Sequence, residues 1–186
     1  MGISRIRYND TLRFTKGTRV YLDTNFLLAI RIDDDKLMSS EKLTNAKKLF
    51  KKLLVSKAEL VLSPLVLDES WYIHLKLLYE KDNGRGSWRR DRPLKNKPCF
   101  ISAYRKELKE FTESLFSDPR FEFVNVTQEV AEKAFLYMVE NCFGPRDSFH
   151  LAMAIQSGIN KFVTIDRDFK TGEEEDIDLT VIKYSS

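Results

Sequence analysis

Four acidic residues stand where a carboxylate is costly unless the fold has a use for it. Asp23 directly follows the apolar run "VYL", and Asp166 follows "FVTI". Glu69 lies within "SPLVLDESWYIHL", where the residues three and four positions away on either side are apolar or aromatic, and Asp147 opens the apolar segment "DSFHLAMAIQ". Carboxylates that converge in space repel one another and raise each other's pKa, so an uncompensated group destabilises the fold.

A divalent cation held by these oxygens would remove the repulsion. Carboxylate oxygens suit Mg²⁺ or Mn²⁺ rather than zinc, and Mg²⁺ characteristically adds waters and substrate phosphate oxygens to a few carboxylates. Such an ion activates water and stabilises the charge that develops during displacement at phosphorus. The four acids therefore predict phosphodiester hydrolysis with Mg²⁺ or Mn²⁺ as cofactor. Asp168 is a further candidate ligand, and capping of the following turn explains it equally well.

Short apolar runs alternate with segments of helical period, which predicts an α/β fold with a mainly parallel sheet. The predicted strands are Arg19–Leu22, 59–63, 121–126, 161–165 and Leu179–Lys183, and the predicted helices are 45–55, 63–80, 100–116, Gln128–Glu140 and 147–156. In such sheets ligands bind beyond the carboxyl ends of the strands. If the strands before Asp23 and Asp166 are neighbours, both acids should lie at one edge.

Composition and length favour one domain, 1–186, with a single core. The chain is 42% hydrophobic and 12% aromatic, and its two cysteines, Cys99 and Cys142, are too far apart in sequence to indicate a zinc motif. The N-terminus lacks the apolar region of a signal peptide, and no apolar run reaches transmembrane length. These features predict a soluble protein of the reducing cytoplasm.

The segment 81–97 carries seven basic residues against two acidic ones, although the whole chain has a net charge of only +3. The segment 81–98, with two glycines and two prolines, predicts a loop or mobile flap within a basic insertion, 81–116. One interpretation is a solvated loop. The other is a nucleic-acid contact, in which basic side chains bind phosphates and Trp88 stacks on a base. The candidates are Arg85, Trp88, Arg89, Arg90 and Arg92.

The ordered set "YLDTNFLL", "SPLVLDESWYIHL", "RDSFHLAMA" and "FVTIDRDF" resembles the PIN-domain nucleases, and among them the VapC-type toxin ribonucleases. The resemblance covers residues 18–182. It implies a three-layer α/β/α sandwich, an acidic pocket for Mg²⁺ or Mn²⁺, and endonucleolytic cleavage of RNA that leaves a 5′-phosphate and a 3′-hydroxyl.

Matched piece by piece, the family's acids fall on Asp23, Glu69, Asp147 and Asp166. Asn25 and Thr164 match polar positions that would orient carboxylates or water. The resemblance also implies two possible protein partners, a small antitoxin and a second copy of the chain. The segment 81–116 is longer and more basic than a minimal PIN domain needs.

Each acid also has a plain structural explanation. Asp23 and Asp147 could be helix N-caps, Asp166 a turn residue, and Glu69 a solvent-facing side chain, although Asp68 next to it is nearly as well placed for a site. His74 and His150 are better explained as hydrogen-bonded structural residues than as catalysts.

Two other functions remain open from the sequence. A haloacid-dehalogenase-type phosphatase would use Asp23 as nucleophile but needs a second acid where Asn25 stands. A non-catalytic RNA-binding module with the same fold would gain nothing from carboxylates that repel phosphate.

Overall fold

A computed structural model describes residues 3–7, 13–32, 39–97, 99–164 and 179–183 of the chain. Its six strands are β1 (Ile3–Arg7), β2 (Arg19–Leu22), β3 (Glu59–Leu62), β4 (Phe121–Phe123), β5 (Lys161–Thr164) and β6 (Leu179–Lys183). Its helices are α1 (Thr24–Arg31), α2 (Ser40–Val55), α3 (Pro64–Asn83), α4 (Ser87–Asp91), α5 (Pro93–Asn96), α6 (Phe100–Ala103), α7 (Arg105–Phe116), α8 (Gln128–Glu140) and α9 (Pro145–Gln156).

The six strands form one sheet in the order β1-β6-β5-β2-β3-β4, and every pair in it is parallel. The central strand β2 is buried along nearly its whole length, with Val20, Tyr21 and Leu22 inaccessible to solvent. Both faces of a parallel sheet are covered, which is why its strands read as continuous apolar runs. The predicted α/β/α architecture with a mainly parallel sheet is therefore confirmed.

Strands β2 and β5 are direct neighbours, with Tyr21 opposite Phe162 and Leu22 opposite Val163. The carboxyl ends of β2, β3 and β5 lie at one edge of the sheet, and α1, α3 and the loop before α9 leave from that side or approach it. This topology positions the candidate site.

Several predicted boundaries differ from those observed. The strand predicted over 121–126 ends at Phe123, and the helix predicted over 100–116 is interrupted at Tyr104, which is the C-cap of α6 and the N-cap of α7. The strand β1 and the helix α1 were not predicted. Residue 165 of the predicted fifth strand lies outside the described residues.

The prediction of a loop or mobile flap over 81–98 is wrong for its described part. After α3 ends at Asn83, the chain forms α4 and α5. Arg92 connects these two helices and has a left-handed backbone conformation with φ of 45°. A second apolar cluster supports this segment and consists of Leu75, Tyr79, Trp88 and Tyr104, with Leu78, Phe100 and Leu108 against it. The segment is ordered because these aromatic side chains pack on the second half of α3.

No helix among the described residues is long and apolar enough to cross a lipid bilayer.

Candidate active site

Asp23 follows β2 and caps the first turn of α1. The backbone N–H of Thr24 donates to its Oδ1 at 2.7 Å, and the hydroxyl of Thr164 at the end of β5 donates to its Oδ2 at 2.7 Å. Asp23 is only 8% exposed. The helix-cap explanation of Asp23 is thus correct. It does not exclude a place in the candidate site, because the same carboxylate also lines the cavity described below.

Glu69 projects from the second turn of α3, a helix that begins at Pro64 with the Ser63 side chain accepting from the N–H of Val66. The hydroxyl of Thr24 donates to Oε2 of Glu69 at 2.6 Å. The side chain of Glu69 is 11% exposed, so the solvent-facing explanation is wrong.

Two cationic or potentially cationic groups also reach Glu69. Arg146 places Nη1 3.1 Å from Oε1, and His150 places Nε2 3.5 Å from Oε2. The Arg146 side chain is 72% exposed, whereas His150 is buried. A flexible guanidinium at the surface and a fixed imidazole inside the fold therefore flank the same carboxylate.

A hydrogen-bonded row of buried side chains fixes the orientation of His150. Its Nδ1 lies 3.0 Å from the hydroxyl of Tyr21, which lies 2.6 Å from the hydroxyl of Ser63. Tyr21 comes from β2, Ser63 from the end of β3, and His150 from the buried face of α9. The hydrogen bond predicted for His150 is present, and the row also presents its Nε2 to Glu69.

A cavity of about 430 Å³ opens in front of these groups. Its walls include Asp23, Asn25, Glu69 and Asp147, as well as the exposed carboxylate of Asp68. Asp147 is the third residue of α9 rather than its N-cap, which is Gly144. Three of the four predicted acids thus face one cavity. Asp166, like Asp168, lies outside the described residues.

The two innermost acids have opposite pKa shifts. Burial raises the pKa of Asp23, and the charge of His150 and the hydrogen bond from Thr164 offset this only in part. Burial alone would also raise the pKa of Glu69, but hydrogen bonds from His150 and Thr24 and the charge of Arg146 bring it below its ordinary value. A cation beside Asp23 would relieve the cost that its burial creates.

Asp23, Glu69 and His150 each offer one ligand atom within 4.8 Å of the others, a spacing that fits one metal ion. Carboxylate oxygens are ligands for Mg²⁺ and Mn²⁺, and an imidazole nitrogen is a ligand for transition-metal ions. Among the described residues, Asp147 lies outside this group of converging atoms although it faces the same cavity. The donor set therefore fits a divalent cation.

The sequence did not single out Thr24 or the position of His150. Thr24 is one residue after Asp23 and links Asp23 to Glu69 through its N–H and its hydroxyl. His150 is three residues after Asp147 in a helix, and that spacing places both on one face. The same spacing was the available signal for its place in the site.

A second cavity, of about 670 Å³, adjoins the first and is called the basic groove below. Its walls include Lys76, Arg85, Arg89, Arg92 and Lys95, with Glu80 as the acidic member. Tyr72 lines both the groove and the acidic cavity.

Two of the predicted nucleic-acid contacts are placed differently. Trp88 is 8% exposed and its ring packs edge-on against Tyr72, Tyr79 and Phe100, so its ring faces are not available for stacking on a base. Arg90 is not part of the groove wall and pairs with Asp91 at 2.8 Å. Trp88 shapes the groove from beneath instead.

The parallel sheet and the acidic cavity at its carboxyl edge define an α/β protein with a candidate metal site. The model of the PIN domain family matches residues 20–174, so the chain belongs to the PIN domain family. This membership favours a nuclease over the haloacid-dehalogenase-type phosphatase. No curated protein gives a significant match to the chain.

Solved structures of similar fold come from toxin–antitoxin systems. VapBC2 from Rickettsia felis, bound to a DNA fragment from its promoter, is 14% identical with a TM-score of 0.51, over 88% of this chain and 97% of that chain. A toxin–antitoxin complex from Klebsiella pneumoniae is 15% identical with a TM-score of 0.49, over 80% and 88%. Mycobacterium tuberculosis VapC20, a toxin that cleaves the sarcin–ricin loop, is 19% identical with a TM-score of 0.47, over 81% and 92%.

Proposed function

We propose that this protein is a divalent-metal-dependent endoribonuclease. The observation that carries the proposal is the convergence of Asp23 and Glu69, from two different elements, in one cavity that Asp147 also faces. Family membership supports it, because PIN proteins are nucleases that use divalent metal ions.

Asp23, Glu69, Asp147 and Asp166 would hold Mg²⁺ or Mn²⁺, with His150 as an additional donor. When bound, the cation supplies charge neutralisation and activates water for attack on phosphorus. Thr24 and Thr164 hold the two innermost carboxylates in place through their hydroxyl groups. Asn25 lines the cavity, where its amide would orient water or a carboxylate.

The basic groove adjoins the acidic cavity and would hold the part of the RNA strand that extends away from the carboxylates. Arg85, Arg89 and Arg92 present guanidinium groups there, and guanidinium forms paired hydrogen bonds with phosphate oxygens. Arg90 lies nearby and would contribute charge while paired with Asp91. In this proposal residues 1–186 form one domain, and 81–116 is an insertion that adds the substrate groove.

The structural similarity to VapBC2 from Rickettsia felis supports a proposal for the cellular setting. We infer a cytoplasmic toxin ribonuclease that a small antitoxin protein holds in check, with a homodimer as a further possible assembly. The test is co-purification: expression together with any small open reading frame adjacent to the gene should yield a stable complex whose ribonuclease activity is suppressed.

The catalytic proposal is tested with Asp23→Asn and Glu69→Gln, and with Glu129→Gln as a matched control on the exposed face of α8. Each full-length protein is incubated with end-labelled single-stranded RNA in Mn²⁺ or in EDTA. We expect the two site variants to lose about 100-fold or more in rate, as removal of a catalytic group commonly does. The control should cleave like the wild type. Products should carry a 5′-phosphate and a 3′-hydroxyl. Full activity of folded Asp23→Asn would refute the proposal.

A non-catalytic RNA-binding module is the second candidate, because the basic groove lies outside the acidic cavity and has no need of a metal. Tight binding of RNA in EDTA without any cleavage in Mn²⁺ would favour it.

A further inference from the structure

We propose that Tyr72 is a stacking platform for one nucleobase of an unpaired strand that passes from the acidic cavity into the basic groove. This inference rests on the proposed ribonuclease function and names how the substrate is recognised. It replaces Trp88, whose ring is buried, with the neighbouring aromatic side chain that solvent reaches.

Tyr72 occupies the boundary between the two cavities and lines both. It lies three residues after Glu69 and four before Lys76 on α3, so the three side chains share one face of the helix. At 1.5 Å per residue, Glu69 and Lys76 are separated by about 10 Å along the helix axis. A strand crossing from one cavity to the other must therefore pass over the ring of Tyr72.

The ring of Tyr72 is held in place although much of it is accessible. Trp88 donates its Nε1–H to the Tyr72 hydroxyl at 3.2 Å, and the two rings meet edge-to-face at 88° with centroids 5.5 Å apart. Trp88 itself is fixed among Tyr79 and Phe100. Tyr72 nevertheless remains 49% exposed. A ring that is already ordered loses little conformational freedom when a base stacks on it.

The charges on either side of Tyr72 give the strand a direction of approach. Asp23, Glu69 and Asp147 repel phosphates, whereas Arg85, Arg89 and other basic side chains of the groove attract them. Within the described part of the chain, Arg85, Arg89 and Arg92 form no ion pair with an acidic residue. These guanidinium groups line the basic groove, where an anionic ligand would contact them.

The chemistry of stacking sets the substrate class. A base can lie on the face of an aromatic side chain only when it has left its own helical stack, which single strands, loops and bulges allow. Regular duplex RNA would offer phosphates to the groove but no base to Tyr72. The groove therefore selects an unpaired segment next to the scissile phosphate.

A purely structural role of Tyr72, as a partner for Trp88, makes a different prediction. In that case loss of the hydroxyl should matter, because the hydroxyl is the group that contacts Nε1 of Trp88. Stacking requires the ring instead. Tyr72→Phe tests the hydroxyl contact, and Phe135→Leu, at an exposed aromatic on α8 outside both cavities, is the control. Tyr72→Leu removes the stack together with the edge-to-face contact on Trp88, and the abasic scan below separates these two losses.

The experiment measures binding of the full-length protein to a labelled single-stranded RNA of about 12 nucleotides, a length in the range that single-strand grooves cover. Binding is followed by fluorescence anisotropy, and EDTA in the buffer prevents cleavage. We expect Tyr72→Phe and Phe135→Leu to bind within about twofold of the wild type. Tyr72→Leu should bind roughly 5- to 100-fold more weakly, the effect of losing one base–aromatic stack. A duplex of the same sequence should show no such difference.

An abasic scan makes the test specific. Replacing one base at a time should weaken wild-type binding at one position, and that loss should disappear in Tyr72→Leu. Equal binding by Tyr72→Leu and wild type, or the same loss in Tyr72→Phe as in Tyr72→Leu, would overturn the platform. Because binding is measured without metal, this outcome is distinct from failure of the nuclease proposal, which the Mn²⁺ cleavage of Asp23→Asn decides.

Discussion

The hydroxyl of Thr164 donates to Oδ2 of Asp23 at 2.7 Å across 141 positions of sequence. The register of β2 and β5 produces this contact, because Leu22 lies opposite Val163 and the N–H of Asp23 donates to the carbonyl of Val163 at 3.0 Å. The next residue along each strand is the acid and its hydroxyl partner. The orientation of the buried carboxylate is therefore set by strand pairing.

Thr164→Val should weaken metal binding by about 10- to 100-fold, as loss of a group that orients a ligand does. Valine keeps the shape of threonine but leaves Oδ2 of Asp23 without the donated hydroxyl. Thr164→Ser keeps the hydroxyl and should retain most of the affinity. Isothermal titration calorimetry with Mn²⁺ measures both variants. Equal affinity for Thr164→Val and the wild type would contradict the orienting role.

Asp23→Asn should stabilise the metal-free protein at neutral pH. Burial raises the pKa of Asp23, so the folded state holds this proton more tightly than the unfolded chain does. Stability is then greatest below the ordinary Asp pKa and falls as pH rises through the raised one. Asparagine carries no charge, so the variant does not lose folding stability in this way as the pH rises.

We expect the melting temperature of Asp23→Asn in EDTA to exceed that of the wild type by several degrees, at about 2–4 °C per kcal/mol for a chain of this size. The difference should shrink as the pH approaches 4, and added Mn²⁺ should raise the melting temperature of the wild type more than that of the variant. A less stable Asp23→Asn at neutral pH in EDTA would refute the argument. Calorimetric scans at several pH values provide the measurement.

Arg146→Met should increase the affinity for Mn²⁺. The guanidinium of Arg146 lies 3.1 Å from Oε1 of Glu69, where it competes with a cation for the same carboxylate. Because the arginine is largely exposed, its pairing is weak, and its loss should strengthen binding by no more than about tenfold. Arg105→Met, on the exposed start of α7, serves as the matched control. Unchanged or weaker Mn²⁺ binding in calorimetry would show that Arg146 does not compete.

Asp118→Asn should destabilise the fold in a pH-dependent way, far from any metal chemistry. Hydrogen bonds and charge from Arg120, with a further bond from Arg31 at 2.5 Å, hold the pKa of Asp118 well below its usual range. The side chain is 8% exposed, and a bond to a charged group contributes about 1.5–3 kcal/mol.

A carboxyl group whose pKa is lowered in the folded state stabilises that state at pH values above the ordinary Asp pKa. This stabilisation is lost as the pH falls from the ordinary pKa through the lowered pKa of the folded state. The deficit of Asp118→Asn should therefore be largest at neutral pH and diminish below about pH 4. Urea unfolding at neutral pH and at about pH 2, well below the ordinary Asp pKa, tests this, with Asp82→Asn at an exposed position as the control. An equal deficit at both would contradict the assigned cause.

The parts of the site that follow from local pattern could be predicted. Asp23 stands out because a charge after a buried apolar strand is costly, and Glu69 because an acid interrupts an apolar helix face. Thr164 was predicted from the family resemblance as a group that orients a carboxylate, and its hydroxyl donates to Asp23. The contacts of Thr24 and His150 with Glu69 could not be predicted, since these residues meet Glu69 only through the order of the strands and helices. Ordinary hydroxyl residues carry no signal of that order.

The helix α1 and the short helices α4 and α5 were not predicted from the sequence, for different reasons. The helix α1 is short and its apolar run Phe26, Leu27, Leu28 and Ala29 is wholly buried, so periodicity alone does not distinguish a run of this length from a buried strand. The short helices α4 and α5 have a loop-like composition, and aromatic packing on α3 orders them. Tertiary contacts decide the structure of such segments.

One uninterrupted helix, α3, carries Glu69 at the acidic cavity and Lys76 in the wall of the basic groove. The helix therefore fixes the rotation and the spacing of one half of the proposed substrate site relative to the other. Inserting a single residue between Tyr72 and Lys76 would turn everything beyond it by about 100° and move it 1.5 Å along the axis. A protein altered in this way could keep every side chain named above and still be unable to thread one strand past both.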